Sequence, residues 1–244
     1  MSSSQFTSSI YLFTFALLLQ TILGASPLYH ACSSSQNFTS NGPYESNLKK
    51  LLSYLHYKTP PQGFGLGSVG KFVQFQTHGL ALCRGDANST ECKTCVNEAS
   101  NEIRKRCPYN EGAIIWYDNC LLKYSNKDFF GQIDNEVRFF LFNVRNVSEP
   151  EVFNQKTRDL LSQLAKEASV VPKMYAVGEV ELGEWTKVYG YAQCTRDLSS
   201  MNCFKCLEDA IGELPTCCDG KEGGRRVIGG SCNIRYEIYP FFSA

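Results

Sequence analysis

Twelve cysteines carry the most evident chemistry in this sequence of 244 residues. Two pairs of them, Cys92-x2-Cys95 and Cys203-x2-Cys206, have the spacing of zinc ligands. An even number of cysteines behind a leader segment instead predicts disulfide bonds formed in an oxidising compartment. We therefore expect the cysteines to be paired as disulfides and to bind no metal.

No set of residues arranged for catalysis is recognisable in the sequence. It contains three histidines and no nucleophile elbow, phosphate-binding loop or histidine-rich cluster. The glycine-rich stretches 63–70 and 220–230 lack the strand-to-helix context of a phosphate-binding loop and predict ordinary loops. Lys and Arg together number 24, as do Asp and Glu, so no basic excess favours nucleic-acid binding. The sequence predicts a protein that is not an enzyme, uses no cofactor and binds no nucleic acid.

The first 25 residues predict a signal peptide. An apolar run from Ile10 to Leu19 is followed by small residues around Ala25. The run is shorter than the roughly 20 apolar residues that cross a bilayer, although an N-terminal membrane anchor stays open as an alternative. No later run is long enough for stable membrane insertion, so we expect a secreted, extracellular protein. Three sequons, the predicted glycosylation sites of a secreted chain, begin at Asn37, Asn88 and Asn146.

An internal repeat organises the cysteines into two units. Three cysteines recur 111 positions later, which relates Cys83, Cys92 and Cys95 to Cys194, Cys203 and Cys206. The same offset takes Cys107 to Cys218, and an offset of 112 takes Cys120 to Cys232. The repeat predicts two tandem domains, residues 26–132 and 133–244, which follow the predicted signal peptide of residues 1–25.

Both units show the same order of expected elements. The spacing of apolar residues predicts helices around residues 48–55 and 92–106, with counterparts around 152–168 and 203–212. β-type runs are expected at residues 72–75, 79–83, 113–124, 174–180, 187–194 and 226–239. The predicted fold class is α+β, with two tandem domains that each pack two helices on one face of a mainly antiparallel, disulfide-stapled sheet.

The cysteine motif resembles a known plant family. Cys83-x8-Cys92-x2-Cys95 and its repeat, together with Leu214-Pro-x-Cys-Cys218 and Cys232-Asn-x-Arg-Tyr-Glu237, are similar to the stress-antifungal domain. That domain occurs in ginkbilobin, in cysteine-rich repeat secretory proteins and in the ectodomains of cysteine-rich receptor-like kinases. The resemblance covers nearly the whole mature chain and implies a secreted plant defence protein of the apoplast.

The resemblance also implies how the cysteines pair. The implied bonds are Cys32–Cys107, Cys83–Cys92 and Cys95–Cys120 in the first unit, and Cys194–Cys203 and Cys206–Cys232 in the second. Position 143, where the counterpart of Cys32 would lie, is Asn143, so Cys217 and Cys218 remain. A vicinal Cys217–Cys218 bond is one possibility, although adjacent Cα atoms lie closer than a disulfide usually allows. Two buried thiols or an intermolecular bridge stay open as alternatives.

A sugar-binding site is the sharpest functional expectation from the family. Ginkbilobin-type domains that bind mannose use an Asn next to the first cysteine, an Arg six residues before the last cysteine and a Glu five residues after it. In the second unit these positions hold Asn143, Arg226 and Glu237, whose side chains can donate to and accept from sugar hydroxyls. A surface ion pair between Arg226 and Glu237 is the competing interpretation.

The first unit departs from this pattern. It has Ser33, Ile114 and Ser125 at the three positions, so we expect no mannose binding there. The partners expected for the whole chain are therefore mannose-type glycans at the second unit. The alternative is an extracellular protein-interaction module, either a homodimer or a partner of a cell-surface receptor, with no sugar binding.

Overall fold

The computed structural model describes residues 26–33, 37–142, 147, 149–183, 186–218 and 225–242. The predicted signal peptide, Asn143 and Asn146 lie outside these ranges, so what the sequence indicates for them stays a prediction. In the described part, each half of the chain forms a five-stranded antiparallel sheet with helices on one face. This is the α+β architecture that the sequence predicted.

The first half contains five strands and two α-helices. In chain order these are β1 (Tyr29–Cys32), α1 (Pro43–Lys58), β2 (Phe64–Val69), β3 (Thr77–Cys83), α2 (Ser89–Arg106), β4 (Gly112–Trp116) and β5 (Cys120–Ser125). The strand order in the sheet is β1-β4-β5-β3-β2, and each neighbouring pair is antiparallel.

The second half repeats this plan. Its elements are β6 (Arg138–Leu141), α3 (Pro150–Val170), β7 (Tyr175–Glu181), β8 (Lys187–Cys194), α4 (Ser200–Gly212), the short α5 (Leu214–Cys218), β9 (Arg225–Gly229) and β10 (Cys232–Glu237). The strand order β6-β9-β10-β8-β7 matches the first sheet position by position. The repeat of the cysteines is therefore a repeat of the fold. No helix in the described ranges combines the length and apolar character needed to cross a membrane.

Local sequence explains where the helices begin and which face they bury. The Asn88 side chain accepts hydrogen bonds from the backbone N–H groups of Thr90 and Glu91, and the Glu91 side chain accepts from the Asn88 backbone in return. This capping box fixes the start of α2. Leu48, Leu51 and Leu55 recur at helical spacing on α1 and are all buried against the sheet.

Among the described residues, five disulfides fasten helices and strands together. They join Cys32 to Cys107, Cys83 to Cys92, Cys95 to Cys120, Cys194 to Cys203 and Cys206 to Cys232. These are the five pairs that the family resemblance implied. Cys217 and Cys218 lie in α5, but their side chains fall outside the described structure, so the vicinal bond stays a prediction.

Three local predictions were wrong. Residues 64–69 form the edge strand β2 rather than a loop, and residues 73–75 form a 3-10 turn rather than a strand. Within the stretch 220–230, also predicted as a loop, residues Arg225–Gly229 form β9. A Cβ atom at Gly67 would lie 2.7 Å from the Tyr54 ring of α1, so glycine here allows helix and strand to approach closely. Gly65 and Gly67 are thus required by close packing within a strand. The sequence pattern alone does not distinguish such glycines from those of a flexible loop.

The two sheets also pack on each other through the faces that point away from their helices. The contact is a hydrophobic cluster of Leu80, Leu82, Ile114, Trp116, Leu121 and Ile228, with Phe139 and Leu141 of β6 against it. The Trp116 indole N–H donates to the Gly229 carbonyl across this contact, with 3.0 Å between Nε1 and O. The side chain of Gln193 donates to the Cys83 carbonyl at 3.0 Å. The two halves therefore share a third core in addition to their own.

Candidate functional site on the outer face of the second sheet

The alternation of β9 and β10 brings two of the predicted sugar-binding residues to one face. Ile234 and Tyr236 point into the core beneath the helices. Arg235 and Glu237 therefore point to the opposite, helix-free face of the sheet, which we call its outer face and part of which packs on the first sheet. On β9 Val227 belongs to the same inner core, and Arg226 therefore also points outward, opposite Arg235. Arg226 and Glu237 are thus diagonal neighbours on the outer face of the sheet, a relation in which long side chains can meet.

The charges on this face form an alternating chain. Nη2 of Arg226 lies 2.6 Å from Oδ1 of Asp118, which belongs to the turn between β4 and β5 of the first half. Nη1 of Arg235 lies 4.0 Å from the same Asp118 oxygen. Oε1 of Glu237 accepts from Arg235, at 2.8 Å from Nε and 2.7 Å from Nη2. Two guanidinium groups and two carboxylates therefore alternate across the junction of the domains.

The interpretation of Arg226 and Glu237 as a surface ion pair is wrong. Each of the two residues is only 3% exposed, and each has a different charged partner. Asp118, in contrast, has a side chain that is 62% exposed. The cluster is therefore open to solvent on the side of Asp118 and closed over Arg226 and Glu237.

Three buried polar atoms in this cluster lack a hydrogen bond among the described residues: Nη1 and Nη2 of Arg226, both donors, and Oε2 of Glu237, an acceptor. Of these, Nη2 of Arg226 has its ion pair with Asp118, whereas Nη1 of Arg226 and Oε2 of Glu237 have no charged partner of their own. Buried polar atoms in folded proteins almost always have a partner, so such a pair calls for an explanation. One donor and one acceptor on the same face suit a ligand that presents hydroxyl groups, because a hydroxyl both donates and accepts.

The last described residues cover the cluster. The Phe241 ring centre lies 4.1 Å from the guanidinium carbon of Arg235, within cation–π distance, and 5.9 Å from the Tyr191 ring. The Phe242 ring lies 6.2 Å from that of Tyr189. Burial raises the pKa of the fully enclosed Tyr191, which therefore stays protonated and neutral. Aromatic rings therefore border the charged face around Arg235 and Tyr189.

A cavity between the two sheets borders the cluster but is small. It measures about 40 Å³ and is lined among others by Trp116, Asp118, Tyr191 and Asn233. Such a volume admits a water molecule or two but not a sugar ring. The cavity is therefore not a binding site for the expected ligand.

The remaining predicted residues are accounted for in part. Asn143 lies outside the described residues, two positions after Leu141, which pairs with Arg226. In the first sheet, Ile114 stands where the second has Arg226, and it is buried between the sheets. Asn37 and Asn88 are both exposed, as glycan acceptors must be. Within the described ranges, no three His, Cys, Asp or Glu side chains are grouped so that they could hold a metal ion.

Three further residues of the cluster escaped the sequence reasoning. Arg235 could have been found, since it lies two positions before Glu237 on an alternating strand and must share its face. Asp118 comes from the other half of the chain, and Phe241 from beyond the last strand. No local pattern predicts that either of these reaches Arg226 or Arg235.

The fold and the disulfide pattern define a tandem cysteine-rich domain protein. The model of the salt stress response/antifungal family matches residues 31–127 and 142–239. Since this is most of the sequence, the chain belongs to that family.

The relatives agree with this membership. The chain is 54% identical to the antimicrobial ginkbilobin-2-like protein of Castanea crenata over all of both chains. It is 53% identical to cysteine-rich repeat secretory protein 38 of Arabidopsis thaliana, over 92% of this chain and 91% of the relative.

Solved structures show the same tandem arrangement. The ectodomain of the Arabidopsis thaliana cysteine-rich receptor-like protein PDLP8 has a TM-score of 0.77 at 30% identity, covering 88% of this chain and 98% of that one. The ectodomain of PDLP5 gives 0.72 at 29% identity, over 87% and 99%. Family and fold together support an extracellular defence or receptor-like module.

Proposed function

We propose that this protein is a secreted, non-enzymatic plant defence protein that binds mannose-type glycans on the outer face of its second sheet. The names of its relatives, antimicrobial in one case and secretory in the other, support the defence role and the extracellular location. The five disulfides suit an oxidising compartment such as the apoplast.

One observation carries the sugar-binding part of the proposal. Nη1 of Arg226 and Oε2 of Glu237 are a buried donor and a buried acceptor without hydrogen-bond partners among the described residues, on one face of one sheet. A sugar with neighbouring hydroxyls would satisfy both atoms. Charge-assisted hydrogen bonds of this kind are roughly twice as strong as those between neutral groups. Asn143, two positions after Leu141 in the sequence, would supply an amide that donates and accepts.

The proposal has consequences for affinity. Ile114 takes the place of the arginine in the first sheet, so each chain would present one site. One shallow polar site binds weakly, and useful avidity would come from clustered glycans on a surface. The burial of Arg226 and Glu237 lowers the apparent affinity further, since only molecules in which the site opens can bind.

Calorimetric titration of the oxidised protein with mannose oligomers tests this function. Wild type should show saturable binding, which Arg226→Lys and Glu237→Gln weaken while the melting temperature shows that both variants fold. Glu167→Gln is the matched control, because Glu167 is an exposed carboxylate on α3, on the opposite face of the sheet, and should not affect binding. Equal binding by all four proteins would place the sugar elsewhere.

The burial of Arg226 and Glu237 favours a second candidate function. In this alternative the charges only hold the domains together, and the protein acts as an extracellular interaction module that dimerises or partners a receptor. The same titration decides between the two. No binding by a folded wild type, with a stable dimer in light scattering, would favour the interaction module.

A further inference from the structure

The C-terminal segment Tyr239–Phe242 occupies the place where a ligand of the charged cluster would have to lie. It follows β10 directly and turns back over the outer face of the second sheet, where Phe241 covers Arg235 and Tyr191. The Tyr239 hydroxyl lies 3.5 Å from Nη2 of Arg235. The segment therefore helps to cover Arg235 and Tyr191, while the cluster stays open at Asp118.

We propose that the rings of Phe241 and Phe242 occupy the positions that the sugar rings of a ligand would take, and that ligand binding displaces them. This inference rests on the proposed sugar-binding function and adds the composition of the site and its control. When the segment lifts, the site consists of Arg226, Arg235 and Glu237 as polar groups, with Tyr189 as an aromatic platform.

The chemistry of the two occupants is comparable. A hexose has one face of C–H groups that packs on aromatic rings, and hydroxyl edges that need donors and acceptors. The Phe242 ring already packs edge-on against Tyr189, which pairs with Glu237 across β8 and β10. A sugar ring in place of Phe242 would pack on Tyr189 in the same way. It would also bring hydroxyls to Oε2 of Glu237, which the phenyl rings cannot satisfy.

The contacts of the segment are weak enough to be broken. They consist of two ring contacts, one cation–π contact and the long hydrogen bond between Tyr239 and Arg235, each of which is weak on its own. We therefore expect a displaced state populated at about 0.1–10%, the usual range of a minor conformation. Since apparent affinity scales with the open fraction, removing the cover should strengthen binding roughly 10-fold or more.

The test compares the full-length wild type with a Phe241→Ala/Phe242→Ala variant. The first readout needs no sugar: phenylglyoxal labelling of arginines, followed by mass spectrometry, reports whether Arg235 is covered. Labelling of Arg235 should rise several-fold in the variant, whereas the exposed Arg104 serves as the internal reference and should not change. Phe72→Ala, at an exposed phenylalanine of the first half, is the matched control.

The second readout is the affinity for a mannose oligomer. The variant should bind roughly 10-fold more tightly than wild type, and adding Tyr189→Ala should reverse much of that gain. Unchanged Arg235 labelling would show that the segment does not cover Arg235. Raised labelling with unchanged affinity would show that Phe241 and Phe242 do not occupy the ligand's place, and would leave the proposed function intact. Raised labelling with no binding by either protein would overturn the proposed function, and this inference with it.

Discussion

Trp116 ties the two sheets together, and its replacement measures how strongly they depend on each other. The residue is 3% exposed on the outer face of the first sheet. Its ring contacts Phe139 of the second sheet edge-on, with 5.2 Å between centroids, and its N–H donates to the Gly229 carbonyl. The side chain thus contributes both apolar packing and a buried hydrogen bond to the shared core.

The two contributions can be separated by two substitutions. Trp116→Ala removes the packing and the hydrogen bond, and should lower the free energy of unfolding by about 3–5 kcal/mol. Trp116→Phe keeps an aromatic ring and loses the N–H donor, so a loss of about 1–2 kcal/mol is expected. Tyr57→Ala is the control, because Tyr57 is 82% exposed and its removal should change stability by less than about 0.5 kcal/mol.

Guanidinium unfolding followed by far-ultraviolet circular dichroism provides the measurement. Because the sheets share a core, the wild type should unfold in one transition, and both Trp116 variants should shift its midpoint. A loss below about 1 kcal/mol for Trp116→Ala would refute the reasoning, since it would mean that the shared core contributes little. Two separate transitions in the wild type would refute it as well.

Three further predictions concern local structure. Asn88→Ala should lower the free energy of unfolding by about 1 kcal/mol, because α2 loses its N-terminal cap. Thr90→Ala removes only the sequon and should lower it much less in unglycosylated protein, so equal losses in thermal melts would contradict the capping role. Replacing Cys32 and Cys107 by serine should destabilise the chain by about 4 kcal/mol, because this bridge closes a long loop and so restricts the unfolded chain most. Removal of Cys83–Cys92, which spans nine positions, should cost less stability, and equal melting temperatures for the two variants would contradict this loop-entropy argument. Burial raises the pKa of Tyr117 to about 12, so the stability that its neutral hydroxyl contributes is complete below pH 10 and lost as the pH rises through the folded-state pKa. The difference in 295 nm absorbance between wild type and Tyr117→Phe should accordingly show this tyrosine ionising late, and ionisation near pH 10 in folded protein would contradict its burial.

Much of the fold follows from patterns within short segments. Leu48, Leu51 and Leu55 recur at helical spacing and lie on the buried face of α1, as expected. The edge strand β2 could not be recognised, because its glycines are explained by the approach of Tyr54 and Thr59 from another element. Such close approaches are properties of the assembled fold, and a sequence pattern contains no record of them.

The candidate site likewise has features that the sequence predicts and features that it does not. The alternation of β10 and its register with β9 place Arg226 and Glu237 on one face, so local periodicity suffices for their approach. Their burial was not predictable, because Asp118 comes from the first half and Phe241 from the segment after β10. Partners that are distant in sequence decide whether a polar pair is an exposed site, a domain contact or a covered site.

Two-dimensional NMR of the isotope-labelled, oxidised protein during titration with a mannose oligomer tests the central claim most directly. The account predicts that chemical-shift changes concentrate in β9 and β10, at Tyr189 and in the segment Tyr239–Phe242, which becomes mobile as the ligand binds. Shift changes confined to the first half, or none at saturating sugar in a folded protein, would contradict it.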